Sequence, residues 1–403
     1  MSLIPGIRVV EMGLWVAGPA AGGILADWGA EVIKIEMLSG DPMRKLFGAL
    51  SGSKEERCPP FDLYNRGKRS IALDINQPEG NALAQRIVAS ADVFVTNMRP
   101  QFLLRAGLDH AHLLAAHPKL VYASLTGYGL DGPDKDAPGF DVAAFAARAG
   151  VADRATAPGT APPTWPGGMG DNVTAIATVA GILGALLSRE RTGRGQLVST
   201  SLLRTGIYSI GMDVSTRVGL GRITPTPSRT RLPNPLMNSY RAGDGKWFWL
   251  IGAEAERHWP GIVAALGVQE LLDDERFATP RDRRRNAEAL VTTLDQIFAA
   301  HTRDEWRTIF AQHDVWWAPV NSVDDLMGDP QVRAAGAFVE VPTDRSGEAP
   351  RIPGVATPVD FGAAKVGPAG PPPDIGQDTD AVLGELGINA QELGRLRSAA
   401  IIK

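Results

Sequence analysis

Cysteine is nearly absent. Cys58 is the only one in 403 residues, so no disulfide forms within the chain and a thiol-rich metal site is excluded. A reducing, cytoplasmic setting is the expectation that follows. Histidine is sparse too, and its six copies lack metal-ligand spacing. His110 and His112 stand at i, i+2 on different helix faces, and His117, His258, His301 and His313 are scattered, so no metal is expected. There is no basic surplus: 41 Lys and Arg face 45 Asp and Glu, a net charge of −4 that weighs against general nucleic-acid binding. Any anionic ligand must therefore be held by locally placed cations. The opening MSLIPGIRVVEMG lacks the charged and apolar regions of a secretory signal. The least charged run, Asn172 to Ser188, falls short of the ~20 residues of a membrane span and reads as a buried helix, with no membrane partner implied.

What is present is an α/β rhythm. IRVVEM reads as a strand, Gly18-Pro19 as the opening of a helix with Pro in its first position, and EVIKIE as a second strand. The glycines run Gly18-Pro-Ala-Ala-Gly22-Gly23 and not G-x-G-x-x-G, so the tight turn of a dinucleotide site is not encoded. Further units follow: KRSIALDI, a helix from about Pro78 to Ala91, DVFVTN, one helix over Phe102 to Ala116, and KLVYASLTGYG. Their apolar runs fit strands buried on both faces of a parallel sheet. From about Pro225 the character changes, and NPLMNSYRAGDGKWFWLIGA reads as an antiparallel hairpin turning at Gly243-Asp244-Gly245. The cluster Arg281 to Arg285 reads as a solvated helix face. GPAGPPPDIG is a linker to one terminal helix over about Asp378 to Ser398. A chain of this length exceeds one ordinary core. The expected organisation is a large Rossmann-like α/β domain begun by residues 1–215, a smaller inserted α+β domain at 225–325, and a return to the large domain at 326–403.

The segment PGGMGDNVTA places one carboxylate, Asp171, behind three glycines and before a long run of small apolar residues. Two readings are compatible. Asp171 is an N-cap of the helix that ends near Gly193, or it is a carboxylate exposed to a substrate's reacting carbon. In the second reading the helix N-terminus keeps Asp171 ionised, and the N–H groups of Gly167, Gly168 and Gly170 face a tetrahedral oxyanion. The alternative for those glycines is a loop that requires positive φ.

Taken together, GIRVVEMGLWVAGPAAGGILADWGAEVIKIE, SGDPMR, YNRGKRSIALD, ADVFVTNMRP, LLRAGLD, LTGYGLDGP, GFDVAAFAARAG, GGMGD, RTGRGQLVSTSLL and DIGQDTDAVLGELGI resemble the class III (CaiB/BaiF) CoA-transferases, in the family's order and over almost the whole chain. ADVFVTN, GPDKDAPGFDVAAFAARAG and PTWPGGMGD are most similar to the 2-hydroxyacyl and arylacrylyl branch, which includes transferases acting on phenyllactate and cinnamate. The resemblance implies transfer of CoA from an acyl-CoA to a carboxylic acid, with coenzyme A as substrate and no tightly bound cofactor. It also implies an interlocked homodimer, with Asp171 as the nucleophile that carries acyl and CoA in turn. A carboxylate suits such exchange because anhydride and thioester are both activated acyl species.

By the same resemblance Lys68, Asn97 and Arg105 meet the nucleotide of CoA, and Val16 and Ala17 its pantetheine region. Formyl-CoA transferases carry a basic pair where this chain has Met37-Leu38, which leaves Arg44 as the candidate phosphate contact. The tetraglycine loop of those enzymes is missing, so formate or oxalate specificity is not implied. A roomier acyl pocket is expected, lined by Trp15, Phe140 and Trp165, unless these aromatics are simply core. Two rivals remain. Related α-methylacyl-CoA racemases need a histidine where this chain reads Gly139-Phe140-Asp141, and phenylalanine carries no proton. A CoA-binding protein without exchange activity is the other.

Overall fold

The computed structural model describes residues 2–46 and 58–403. Contacts divide the chain into two compact units, the first of residues 1–153, 164–215 and 333–403, the second of 154–163 and 216–332.

The first unit is built on six strands, β1 (Arg8–Met12), β2 (Glu31–Glu36), β3 (Arg69–Ala72), β4 (Val93–Thr96), β5 (Val121–Thr126) and β6 (Leu197–Ser201). They lie in the order β3-β2-β1-β4-β5-β6, all parallel. Alternate side chains divide between two cores, as the period of two requires. Val10, Ile33, Ile35, Ile71, Phe94 and Tyr122 meet α3 (Pro78–Ala89), while Val9, Val32, Val93, Val95, Val121 and Ala123 meet α1 (Ala17–Asp27) and α6 (Met169–Thr192). The near-continuous Val and Ile runs are thus explained by burial on both faces. The strand order reverses between β1 and β4, and the chain leaving their carboxyl ends opens a crevice there, where open α/β sheets bind ligands.

Several boundaries differ from expectation for local reasons. Helix α1 starts at Ala17, so Pro19 stands third, still in the turn whose N–H groups have no helical acceptor. The expected helix over 102–116 is two, α4 (Pro100–Arg105) and α5 (His110–Ala116), because Gly107 takes φ +64° and Asp109 caps a new start through Ala111 and His112. The terminal helix is likewise two, α11 (Thr379–Glu385) and α12 (Ala390–Ser398), parted at Gly387 with φ +83°. Helix α6 runs 24 residues from Met169 and is long and apolar enough to cross a membrane, yet its Thr178, Val179, Ile182 and Leu186 are buried against the sheet. It ends on Gly193 at φ +71°, as expected.

The second unit carries an antiparallel sheet of β7 (Met237–Arg241), β8 (Trp247–Ile251) and β9 (Trp317–Pro319). Tyr240, Phe248 and Leu250 pack on α8 (Ala255–Leu266), α9 (Ala287–Phe298) and α10 (Arg303–Gln312). In the arginine cluster, Arg283 is buried and donates to Phe277 O at 2.7 Å, so that face is not wholly solvated.

Candidate active site

Within the first unit, the crevice at the β1/β4 reversal is a cavity of about 480 Å³. Leu14 to Ala17 after β1, Asn97 to Pro100 after β4, and Leu125 to Gly127 at the end of β5 contribute to its walls, together with Pro138 to Asp141 and Asp171. Of the expected site residues it gathers Asp171, Val16, Ala17, Asn97, Arg105, Trp15 and Phe140.

The wall after β1 is held from two sides. Asn97 accepts the Leu14 N–H at 2.9 Å and donates to Leu14 O at 2.8 Å, and Asp41 accepts the Trp15 N–H at 3.1 Å. That grip sustains Trp15 at φ +64°, a conformation costly for a bulky residue. Asp41 is anchored in turn by Lys34 at 3.0 Å, and Lys34 donates to Glu11 at 2.9 Å and to Gly13 O at 3.0 Å. Burial alone would raise the Glu11 pKa, but the ammonium groups of Lys34 and Lys68 hold it below the usual carboxylate range.

Lys68 completes this buried network and so is not a nucleotide contact. Its ammonium donates to Glu11, to Pro19 O at 2.8 Å and to Asn65 Oδ1 at 3.0 Å, with no side-chain surface exposed. Arg44 is also committed elsewhere: it clamps Glu36 through Nε at 2.9 Å and Nη2 at 2.6 Å, donates to Pro373 O at 2.9 Å, and lies over the Phe61 ring. One bidentate carboxylate and one backbone carbonyl engage all three of its nitrogens and leave no free fork for a phosphate. In their place the cavity is lined by Arg99 and Lys135 beside Arg105, all exposed and without ion pairs among the described residues. Both lay in motifs already noted, NMRP and GPDKDAPGF, and only the fold shows that they converge.

Asp171 is not the cap of α6. The helix begins two residues earlier, Gly168 occupies the N-cap at φ +77°, and Asp171 stands in the first turn. The capping carboxylate comes from Asp141, whose Oδ1 accepts the Gly170 N–H at 3.1 Å. Gly170 therefore does not offer a free donor for an oxyanion, while Gly167 and Gly168 immediately precede the helix. Asp141 opens a π-helical segment, Asp141–Arg148, a form that recurs at functional sites. A Cβ on Gly170 would lie 2.3 Å from Phe145 and 2.4 Å from Asp141, so only glycine fits this contact.

The helix N-terminus does not keep Asp171 fully ionised at neutrality either. Burial, and then the neighbouring Asp141 charge, push its pKa up to about 7. Both effects disfavour the anion.

The aromatics separate. Phe140, 58% exposed, and Trp15, 38% exposed, line the cavity with Leu14, Met98, Leu125 and Leu202. Trp165 is not among the lining residues: it packs against Ala144, Phe145 and Leu202, its ring 6.2 Å from that of Phe145. Among the described residues no group of His, Cys, Asp and Glu is arranged to hold a metal ion.

The model of CoA-transferase family III matches residues 4–379. The chain is 32% identical to (R)-2-hydroxy-4-methylpentanoate CoA-transferase of Clostridioides difficile, over the whole of both chains. It is 34% identical to cinnamoyl-CoA:phenyllactate CoA-transferase of Clostridium sporogenes, covering 98% of this chain and 96% of that one. In structure it is similar to a CaiB/BaiF family protein from Brucella suis, with a TM-score of 0.83 and 30% identity, covering 96% of this chain and 99% of the other.

Proposed function

The chain belongs to CoA-transferase family III, and from that premise we propose that Asp171 is its covalent carrier and that its acyl groups are bulky, apolar 2-hydroxy or arylacrylic acids. The observation that carries the reading is the single cavity wall set that joins Asp171, three exposed cations and an apolar rim.

An Asp171 oxygen attacks the thioester carbonyl, the C–S bond breaks, and CoA thiolate leaves an acyl-aspartyl anhydride. The thiolate then attacks the aspartyl carbonyl, releasing the donor acid and forming an aspartyl-CoA thioester. The acceptor carboxylate attacks that thioester, thiolate leaves again, and its attack on the acceptor carbonyl gives the new acyl-CoA and frees Asp171. No step spends the thioester on water. Arg99, Arg105 and Lys135 supply the charge that CoA phosphates require in a chain of net negative charge. Leu14, Trp15, Met98, Leu125, Phe140 and Leu202 supply surface for a branched or aromatic acyl group. Phe140 at the rim offers no second proton carrier, which favours transfer over racemisation.

Purified protein is expected to exchange CoA between cinnamoyl-CoA and phenyllactate, or to 2-hydroxy-4-methylpentanoate, at least tenfold faster than to formate or oxalate, read by mass spectrometry of the acyl-CoAs. Exchange confined to the small acids would overturn the acyl assignment.

The proposed assembly is a homodimer whose chains interlock. Ile176 and Leu187 on α6, Ile207 and Tyr208 on α7 (Leu202–Ser209), and Met212 beyond it are exposed, Tyr208 and Met212 by 87% and 89%. Large side chains so bare in one chain fit burial by another. Light scattering is expected to give twice the chain mass at all practical dilutions, and a stable monomer would refute the assembly.

A further inference from the structure

Asp141 has a place in the site that the proposed chemistry leaves unused. Its residue surface is 9% exposed, and it lines the Asp171 cavity. One oxygen, Oδ1, accepts the Gly170 N–H at 3.1 Å, whereas the buried Oδ2 has no hydrogen-bond partner. A buried carboxylate oxygen left unpaired costs free energy, so such groups call for an explanation. Its position is also tightly determined. A Cβ on Gly139 would lie 2.3 Å from the Gly127 Cα, which brings the segment before Asp141 into backbone contact with the end of β5.

We propose that Asp141 is a positioning residue for acyl transfer: its carboxylate pins the turn that presents Asp171, and its negative charge acts on the Asp171 carboxylate across the cavity. The proposal rests on Asp171 as the carrier. The pin follows from sequence adjacency, since Gly170, held by Asp141, is the residue before Asp171. The coupling follows from the orphan oxygen: among the described residues no cation is bonded to it, so the charge Asp141 carries, itself opposed by burial, reaches Asp171 unneutralised. A carboxylate facing another anion binds a proton more readily and is, by the same measure, a stronger nucleophile once ionised. The groups that face Asp171 from the other elements are few. Tyr64 on α2 (Pro59–Asn65) feels the Asp171 and Asp141 charges, and Arg99, Arg105 and Lys135 line the same cavity. No histidine lines it.

The test separates pin from charge. Asp141→Asn keeps an acceptor for the Gly170 N–H and removes the charge; Asp141→Ala removes both. With cinnamoyl-CoA and phenyllactate as probe, the acid limb of kcat/KM is expected to move to lower pH by roughly half a unit or more in Asp141→Asn. Plateau kcat should fall several-fold while KM for cinnamoyl-CoA stays within twofold. Asp141→Ala is expected to share the displaced limb and to lose at least another tenfold in kcat. A limb that overlays the wild type in Asp141→Asn overturns the proposal. A readout free of substrate accompanies it: the pH at which the stability difference between wild type and Asp171→Asn in urea becomes complete should fall by the same amount in the Asp141→Asn background. Absence of that shift also refutes the coupling, whether or not the probe pair is turned over, whereas exchange surviving in Asp171→Asn refutes the carrier instead. If Asp141→Asn does not fold, Asp141→Ser supplies a neutral cap for the same measurements. Should neither neutral variant fold, the carboxylate is scaffold and the proposal fails.

Discussion

Asp171→Asn is expected to fold, to lose CoA exchange by at least about a thousandfold, and to be more stable than the wild type at pH 8. The loss follows from covalent catalysis: an amide neither attacks a thioester nor carries CoA, and the neighbouring carboxylate, Asp141, is held by the Gly170 N–H. The gain follows from linkage. In the folded chain Asp171 has its pKa raised to about 7 from the ordinary 3.8, by burial first and Asp141 second. A raised carboxylate opposes folding wherever it would otherwise be ionised, so the cost is absent below the ordinary value, grows between the two, and is complete above the folded one. Replacing it should therefore stabilise the fold by up to roughly 4 kcal/mol at pH 8 and by well under about 1 kcal/mol at pH 4. Urea unfolding at the two pH values measures the difference, and mass spectrometry of the Asp171 peptide checks against deamidation. A folded variant that keeps more than a tenth of the exchange would remove Asp171 as carrier; a pH-independent stability difference would remove its strained ionisation. Stability given up at one carboxylate for reactivity is the trade expected at a functional site.

Glu11→Gln should have the largest effect on the fold. Glu11 is fully buried and takes hydrogen bonds from both Lys34 and Lys68, whose side chains have no exposed surface. Removing its charge leaves the buried Lys68 ammonium without a counter-ion and Lys34 with Asp41 alone, at a cost of about 3–5 kcal/mol. That is a large share of the 5–15 kcal/mol by which domains are typically stable. Unfolding midpoints in urea test it, and a change under about 1 kcal/mol would show that the network is not under this tension. The triple replacement of Glu11, Lys34 and Lys68 by Met should recover part of the lost stability, because no ammonium is left stranded, the remainder being the cost of the buried Asp41 carboxylate without Lys34. It should not recover activity: Asp41 then loses Lys34, and the Leu14 to Ala17 wall that Asp41 holds at Trp15 loses its anchor.

The sequence by itself determined the parallel sheet and the family. Runs such as VVEM, EVIKIE and DVFVT place Val, Ile or Phe on both faces, and only a strand covered on both sides has use for that. The ordered motifs that ring Asp171 lie close in sequence to strand ends, where their roles are local. It also gave the end of α6, because Gly193 is a local backbone requirement.

What only the tertiary structure decided is which charges are spent. Lys68 and Arg44 read as free cations because nothing in YNRGKRS or SGDPMR shows that Glu11 and Glu36 lie beneath them; Glu11 comes from the distant β1, and Glu36 from the end of β2, to which the chain turns back at Arg44. Lys135 and Arg99 were equally legible as residues and became site candidates only when the β1/β4 reversal drew their loops into one crevice. The cap of α6 was read from the nearest Asp in sequence, yet it is supplied by Asp141, 29 residues before Gly170. Its charge, together with burial, then reverses the ionisation expected of a helix N-terminus. Burial and Coulomb interaction depend on distance in space, and a linear chain carries that information only after it has folded.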